Sequence, residues 1–195
     1  MFTLTAPSTF SQDIKRSRFL ATASPVSDET MAKDFISRHT LHDATHNCWA
    51  WRIGQNYRFN DDGEPSGTAG KPILQAIDGQ DLDSVAVVVT RWFGGILLGS
   101  GGLMRAYGGT AALCLQAADR TRIIPSLDLR FEIQFSDLAL VKSRLLALPD
   151  VHLVHENFIS NGAVLEVKIP QAEAETILQT VTDLTSGRAI IRSDD

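Results

Sequence analysis

The chain has little of what several classes of protein require. Cysteine occurs only at Cys48 and Cys114, in neither a CxxC nor an HxxxH pattern, so the sequence supports no disulfide framework and no zinc site. No apolar run approaches the roughly 18 residues of a membrane span, and the first residues lack the basic and apolar regions of a signal peptide. We therefore expect a cytoplasmic protein with reduced thiols and no membrane contact.

An overall excess of basic residues is missing too. The 195 residues carry a net charge of −5, which argues against a protein that coats nucleic acid indiscriminately. Basic and acidic residues balance over residues 1–125, whereas acidic residues predominate over residues 126–195. A site for an anionic partner is therefore expected in the first two thirds of the chain, where its positive charge would be local.

The pattern of apolar residues predicts two α+β domains that meet near Pro125. In the first domain we expect a strand at 18–26, a helix capped by Ser27 or Asp28 with Met31, Phe35 and Ile36 on its inner face, a hairpin from Asn47, a buried strand at 84–90 and a helix at 103–118. Residues 126–195 follow the order β-α-β-β-α-β, with a hairpin turn at Asn161-Gly162. This order is the ferredoxin-like arrangement.

The most informative segment is VVVTRWFGGILLGSGGLMRAYGG, from Val87 to Gly109. It reads as a buried strand that ends at Arg91, a glycine-rich loop, and a helix. Arg91 and Arg105 are the only charged residues between Asp83 and Asp119. Backbone N–H groups and guanidiniums that converge on one spot suit an anion such as phosphate. We therefore expect the two arginines to bind phosphate over a backbone cradle formed by Gly94, Gly95, Gly99, Gly101 and Gly102.

Other interpretations stay open on the residues alone. The segment contains no Walker A motif, and the alternative is that its glycines serve only tight turns and close packing. His46 and Cys48 face the same way on one strand, as a nucleophilic pair or as structural neighbours. Asp61, Asp62 and Glu64 either hold a divalent cation or belong to a solvated turn.

Four ordered motifs carry a resemblance to a known family. They are the glycine-rich segment, SRF at Ser17 to Phe19, DATHNCWAWRIG at Asp43 to Gly54, and NDDGEPSGTAGKPIL at Asn60 to Leu74. Together they resemble the IMPACT family, specifically its bacterial YigZ-like branch. The resemblance implies a domain of the ribosomal protein S5 domain 2 type at residues 1–125, and a ferredoxin-like domain similar to domain V of elongation factor G at residues 126–195.

The resemblance also implies a function. It suggests contact with RNA or the ribosome, a role in regulating translation, no catalytic activity and no cofactor. The family motifs add five residues to the expected anion site, with the acidic ones either touching the ligand or orienting the arginines: His46, Asp62, Glu64, Ser66 and Lys71. One alternative is a metal-assisted hydrolase that uses the Asp62/Glu64 loop. Another is a protein-docking role for residues 126–195, with a purely architectural glycine loop.

Overall fold

The structure is a computed structural model that describes residues 1–193. The chain divides into two units, Met1–Ile123 and Ile124–Asp195. None of the helices within residues 1–193 is long and apolar enough to cross a lipid bilayer.

The first unit is built on a five-stranded sheet in which every neighbouring pair of strands is antiparallel. Its strands run in the spatial order β2-β3-β6-β4-β5, with bounds β2 Ser8–Ile14, β3 Ser17–Pro25, β4 His46–Ile53, β5 Asn56–Asn60 and β6 Val85–Trp92. Three helices accompany them: α1 Glu29–His39, α2 Gly70–Asp78 and α3 Ser100–Ala117. Two short strands, β1 Phe2–Leu4 and β7 Arg120–Arg122, pair with each other.

The central strand β6 is covered on both faces, as its run of β-branched residues predicts. Val87 and Val89 belong to the larger core, which includes buried residues of α2 and α3. Ala86 and Val88 belong to a smaller core that includes Phe35 of α1. Successive side chains of a strand point to opposite faces of the sheet. Arg91, near the end of β6, therefore lies on the same face as Val87 and Val89.

Several sequence expectations for this unit need correction. Met31 does not lie on the inner face of α1, because its side chain is 48% exposed while Phe35 is buried. The structure confirms a cap at Asp28, whose side chain accepts a hydrogen bond from the N–H of Met31. Helix α3 begins at Ser100, three residues before the prediction. The strands β1, β2 and β7 were missed, because β2 is a half-exposed edge strand and the other two are only three residues long.

The second unit confirms the ferredoxin-like prediction. Its elements are β8 Ser126–Gln134, α4 Phe135–Leu146, β9 His152–Ile159, β10 Gly162–Pro170, α5 Ala174–Leu184 and β11 Ile190–Ser193. The sheet order is β11-β8-β10-β9 and all its pairs are antiparallel. The expected hairpin joins β9 to β10, but Gly162 lies in β10, where a Cβ would overlap the carbonyl oxygen of Ile133.

Candidate functional site

Arg91 is the buried centre of the candidate site in the first unit. It lies on β6 with Phe19 of β3 and His46 of β4 as its strand neighbours. Its Nη1 donates a hydrogen bond to Oε1 of Glu64 at 2.6 Å, and its Nη2 donates to the Ser17 hydroxyl at 3.3 Å. The side chain is 5% exposed. The expected role of Arg91 as a phosphate partner therefore does not fit its buried position, because Glu64 already neutralises its charge.

Glu64 connects the NDDGEP loop to the sheet and to α3. The hydroxyl of Tyr107 donates to Oε1 of Glu64 at 2.7 Å, so the same oxygen accepts from Arg91 and from Tyr107. Nε2 of His46 lies 3.9 Å from that oxygen. The sequence left open whether the acidic residues touch the ligand or orient the arginines. Here the second alternative holds, because Glu64 orients Arg91.

The other acidic side chains of this loop bind backbone groups. The carboxylate of Asp61 accepts hydrogen bonds from the N–H groups of Gly67, Ala69 and Gly70. Oδ2 of Asp62 accepts from the N–H of Asn47 at 2.6 Å. The acids thus close the loop and organise the start of α2, which explains why a segment without apolar periodicity is ordered.

This geometry removes the basis for a metal-assisted hydrolase. The carboxylates of Asp62 and Glu64 are directed at different partners, a backbone N–H and the guanidinium of Arg91. Within residues 1–193, no group of three or more His, Cys, Asp or Glu side chains could hold a metal ion. The Asp62/Glu64 loop therefore lacks the ligand set that this alternative requires.

Cys48 is not an activated nucleophile beside His46. Its thiol donates a hydrogen bond to the carbonyl oxygen of Asp61 at 3.0 Å. Burial, followed by the nearby charges of Glu64 and Asp62, raises the pKa of the Cys48 thiol far above its ordinary value. A thiol must ionise to attack, so the structure favours the interpretation of His46 and Cys48 as structural neighbours.

The glycine-rich loop owes its shape to three different requirements. At Gly94 a Cβ would overlap the carbonyl oxygen of Arg16, so only glycine lets the loop lie against that backbone. Gly95 and Gly99 have φ values of 85° and 72°, which favour glycine. Gly101 and Gly102 lie in the first turn of α3 instead of in the loop. The five glycines of the expected cradle therefore have different roles. Gly94, Gly95 and Gly99 shape the loop, and Gly101 and Gly102 belong to the start of α3.

Arg105 and Arg91 do not face the same hollow. Arg91 lines a cleft of about 370 Å³. Arg105 lines a separate groove between α2 and α3 and is exposed. Lys71 and Ser66 are exposed as well, and none of these three side chains has a hydrogen bond or ion pair within the described part of the chain. The two guanidiniums therefore do not converge on one spot as expected, because Arg91 on β6 and Arg105 on α3 line different hollows.

A basic turn next to the glycine-rich loop supplies the charge that Arg91 does not. Lys15 and Arg16 form the turn between β2 and β3, with φ values of 45° and 69°. Both are exposed and form no ion pair in the range 1–193. Arg18 follows at the start of β3, with its guanidinium 4.9 Å from the ring centroid of Trp92. The run Lys-Arg-Ser-Arg from Lys15 to Arg18 is the signal in the sequence for this turn.

Comparison with known proteins defines the class of the chain. Residues 15–115 match the model of the Impact N-terminal domain, and residues 131–188 match a domain of unknown function, DUF1949. A crystal structure described as that of a hypothetical protein is similar over 100% of this chain and 97% of its own, with a TM-score of 0.73 and 30% identity. The chain is thus an α+β protein that combines an Impact N-terminal domain with a second, ferredoxin-like domain.

Its curated relatives establish the family. An IMPACT family member from Thermus thermophilus is 42% identical over 177 residues, which cover 90% of this chain and 97% of the relative. YigZ from Escherichia coli is 33% identical, with 93% and 92% covered, and YvyE from Bacillus subtilis is 34% identical, with 93% and 85% covered. The chain belongs to the IMPACT family.

Proposed function

We propose that this protein is a non-catalytic regulator of translation that binds RNA or the ribosome through its first unit. The single observation that carries the proposal is the position of the basic turn. Lys15 and Arg16 project from a turn whose backbone contacts Gly94 of the glycine-rich loop. Cations without intramolecular partners are available to phosphates, and their charge makes binding dependent on salt.

The residues around the turn suit a nucleic acid better than an isolated anion. Trp92 and Phe93 come directly after Arg91, and Phe93 is 44% exposed. Aromatic rings next to cations allow bases to stack while phosphates pair with the cations. Arg105 and Lys71 are further exposed cations of the same unit, and they remain part of the proposed surface.

Arg91 and Glu64 have a supporting role in this proposal. Their ion pair holds the end of β6 against the NDDGEP loop. The glycine-rich loop begins directly after β6. The backbone of Asp62 takes part as well, because its carbonyl oxygen accepts a hydrogen bond from Nδ1 of His46 at 2.7 Å. These residues shape the surface, and the exposed cations bind the phosphates of the RNA.

Sedimentation with ribosomes tests the proposal. The variant Lys15→Asn/Arg16→Asn removes two charges while keeping a residue type that tolerates positive φ. Arg120→Gln/Arg122→Gln is a matched control, because it removes two exposed charges from β7 of the same unit. We expect the wild type and the control to sediment with ribosomes and the turn variant to stay in the supernatant. Equal sedimentation of the two variants would contradict the proposal.

A further inference from the structure

The cleft beside Arg91 is lined mostly by apolar side chains. Its volume is about 370 Å³, within the range of small-ligand sites. It lies in the first unit between the NDDGEP loop, the residues that follow β6, and the start of α3. Its apolar lining consists of Pro65, Phe93, Leu97, Leu98 and Leu103. Such walls favour a ligand with a hydrocarbon or aromatic body.

Arg91 brings an unpartnered donor to this cleft. Two nitrogens of its guanidinium are engaged, because Nη1 donates to Glu64 and Nη2 donates to Ser17. The third nitrogen, Nε, is buried and has no hydrogen-bond acceptor in the part of the chain that the structure describes. A buried donor without an acceptor costs free energy, and a ligand that supplies an acceptor recovers it.

The start of α3 supplies further donors at the same cleft, where Gly99 and Ser100 belong to the lining. The first intrahelical bond runs from the N–H of Leu103 to the carbonyl oxygen of Gly99. The N–H groups of Ser100, Gly101 and Gly102 precede it and have no intrahelical acceptor. No side chain caps this helix, and its first turn holds no acidic residue. The dipole of an 18-residue helix therefore favours an anion here.

The charges around the cleft also favour an anion over a cation. Glu64 is the one acidic residue that the structure places in the lining, and its ion pair with Arg91 already neutralises it. The exposed Lys15 and Arg16 lie in the turn that contacts the glycine-rich loop, and they attract anions. A phosphate would match the donors but not the walls, because apolar walls leave its outer oxygens without hydrogen bonds.

We infer that the cleft binds a carboxylate attached to an apolar body, a function beyond the one proposed above. The carboxylate accepts hydrogen bonds from Nε of Arg91 and from the N–H groups at the start of α3, and the apolar body packs against the leucines. The ring of Phe93 is 44% exposed and its centroid lies 5.2 Å from the guanidinium carbon of Arg91. Exposed side chains change rotamer rapidly, so rotation of this ring admits the carboxylate to Nε.

Calorimetric titration with phenylpropionate and its analogues tests the inference. We expect phenylpropionate to bind roughly tenfold more tightly than phenylpropionamide, because a charged acceptor forms the stronger hydrogen bonds. Acetate should bind more weakly by a similar factor, roughly tenfold, because it lacks the apolar body, and inorganic phosphate should not displace phenylpropionate. Equal affinity for the acid and the amide, or for phenylpropionate and acetate, would overturn the inference.

The variant Ser100→Asp locates the site without disturbing the buried ion pair. It places a competing carboxylate at the exposed start of α3, where a negative charge also favours the helix. Affinity for phenylpropionate should fall roughly tenfold or more, while the urea midpoint should not fall. Ser143→Asp, the same replacement at an exposed serine of α4, is the matched control and should bind like the wild type. Equal affinities of the two variants would contradict the site.

The Nε–H resonance of Arg91 reports on its acceptor directly in nitrogen–proton correlation NMR. Phenylpropionate should shift this resonance and slow its exchange with solvent, because the proton enters a hydrogen bond. The same concentration of phenylpropionamide should leave both unchanged. Binding of phenylpropionate without any change at this resonance would overturn the role of Arg91.

Two sources share this chemistry, a small carboxylic acid and the carboxyl terminus of a polypeptide that ends in an apolar residue. A short peptide that ends in phenylalanine, with a free or an amidated carboxyl terminus, separates them. Tighter binding of the free-terminus peptide than of phenylpropionate assigns the site to the end of a polypeptide, and weaker binding assigns it to a small acid. Failure of phenylpropionate and of both peptides to bind, with ribosome sedimentation intact, overturns this inference and leaves the proposed function standing.

Discussion

Nη1 of Arg91 lies 2.6 Å from Oε1 of Glu64, and the two side chains are 5% and 4% exposed. The pair joins residues 27 positions apart, one near the end of the central strand and one in a loop without regular structure. Tyr107 donates to the same oxygen from α3. This junction therefore holds a strand, a loop and a helix together next to the proposed binding surface.

Breaking this ion pair should strongly destabilise the first unit. We expect Arg91→Met to lower the free energy of unfolding by about 3–5 kcal/mol, because it leaves the carboxylate of Glu64 buried without a counter-charge. Urea unfolding followed by tryptophan fluorescence measures this unit alone, since all three tryptophans lie in it.

The matched control is Arg105→Met, the same replacement at an exposed arginine. It should change the free energy of unfolding by less than about 0.5 kcal/mol. Adding Glu64→Gln to Arg91→Met should recover part of the loss, because the amide is neutral. If Arg91→Met and Arg105→Met cost the same, the ion pair does not hold the junction.

The glycine at position 94 should be irreplaceable for packing reasons. Gly94→Ala forces the loop away from the carbonyl oxygen of Arg16, and we expect a loss of about 1–3 kcal/mol, as for other overpacked sites. Gly109→Ala is the opposite case, a helical position with open space around the new Cβ. It should stabilise the unit by about 0.8–1.0 kcal/mol. Urea midpoints check both, and stabilisation by Gly94→Ala would show that the loop does not need this contact.

The first unit should lose stability at alkaline pH. Burial is the main cause that raises the pKa of both Cys48 and Tyr107 above their ordinary values of 9.0 and 10.0. The folded state keeps these protons while the unfolded chain releases them, so the stability they contribute is complete below pH 9.0 and declines above it. Each group should contribute a slope of up to about 1.4 kcal/mol per pH unit.

Single variants isolate these slopes from the other groups that titrate. Cys48→Ala should flatten the decline that begins near pH 9, and Tyr107→Phe the decline that begins near pH 10. The measurement is the free energy of urea unfolding between pH 7 and 11 for each variant and the wild type. Parallel curves for all three proteins would mean that neither proton is retained by the folded state.

Arg105 should contribute to RNA affinity without contributing to folding. It is exposed and forms no ion pair within the described range. If it touches one phosphate, Arg105→Gln should reduce the salt slope of RNA binding by about 0.7, the value for one contact with a single strand. Filter binding at several salt concentrations measures the slope. An unchanged slope would place Arg105 outside the binding surface.

Most of the fold could be predicted from the sequence because its periodicity is strong. The β-branched run of β6 and the alternating pattern of β8 belong to strands with buried faces, so apolar residues mark them. Strand β2 carries its polar residues on a half-exposed edge, which leaves no such mark. Gly162 was assigned to a turn by its residue type, whereas its place in β10 depends on the approach of a distant carbonyl group.

The candidate site could be predicted only in part. The sequence drew attention to Arg91, Glu64 and the glycines, but which arginine is buried depends on a partner 27 residues away and on the closure of the NDDGEP loop. The same holds for Arg16, since its contact with Gly94 joins segments 78 residues apart. Spacing along the chain carries no information about either contact.

The salt dependence of RNA affinity tests the central claim most directly. It is measured for the wild type, for Lys15→Asn/Arg16→Asn and for the control Arg120→Gln/Arg122→Gln. We predict that the turn variant binds more weakly and has a salt slope smaller by about 1.4, the value for two lost phosphate contacts on a single strand, while the control matches the wild type. Identical slopes for the turn variant and the wild type would contradict binding through this surface.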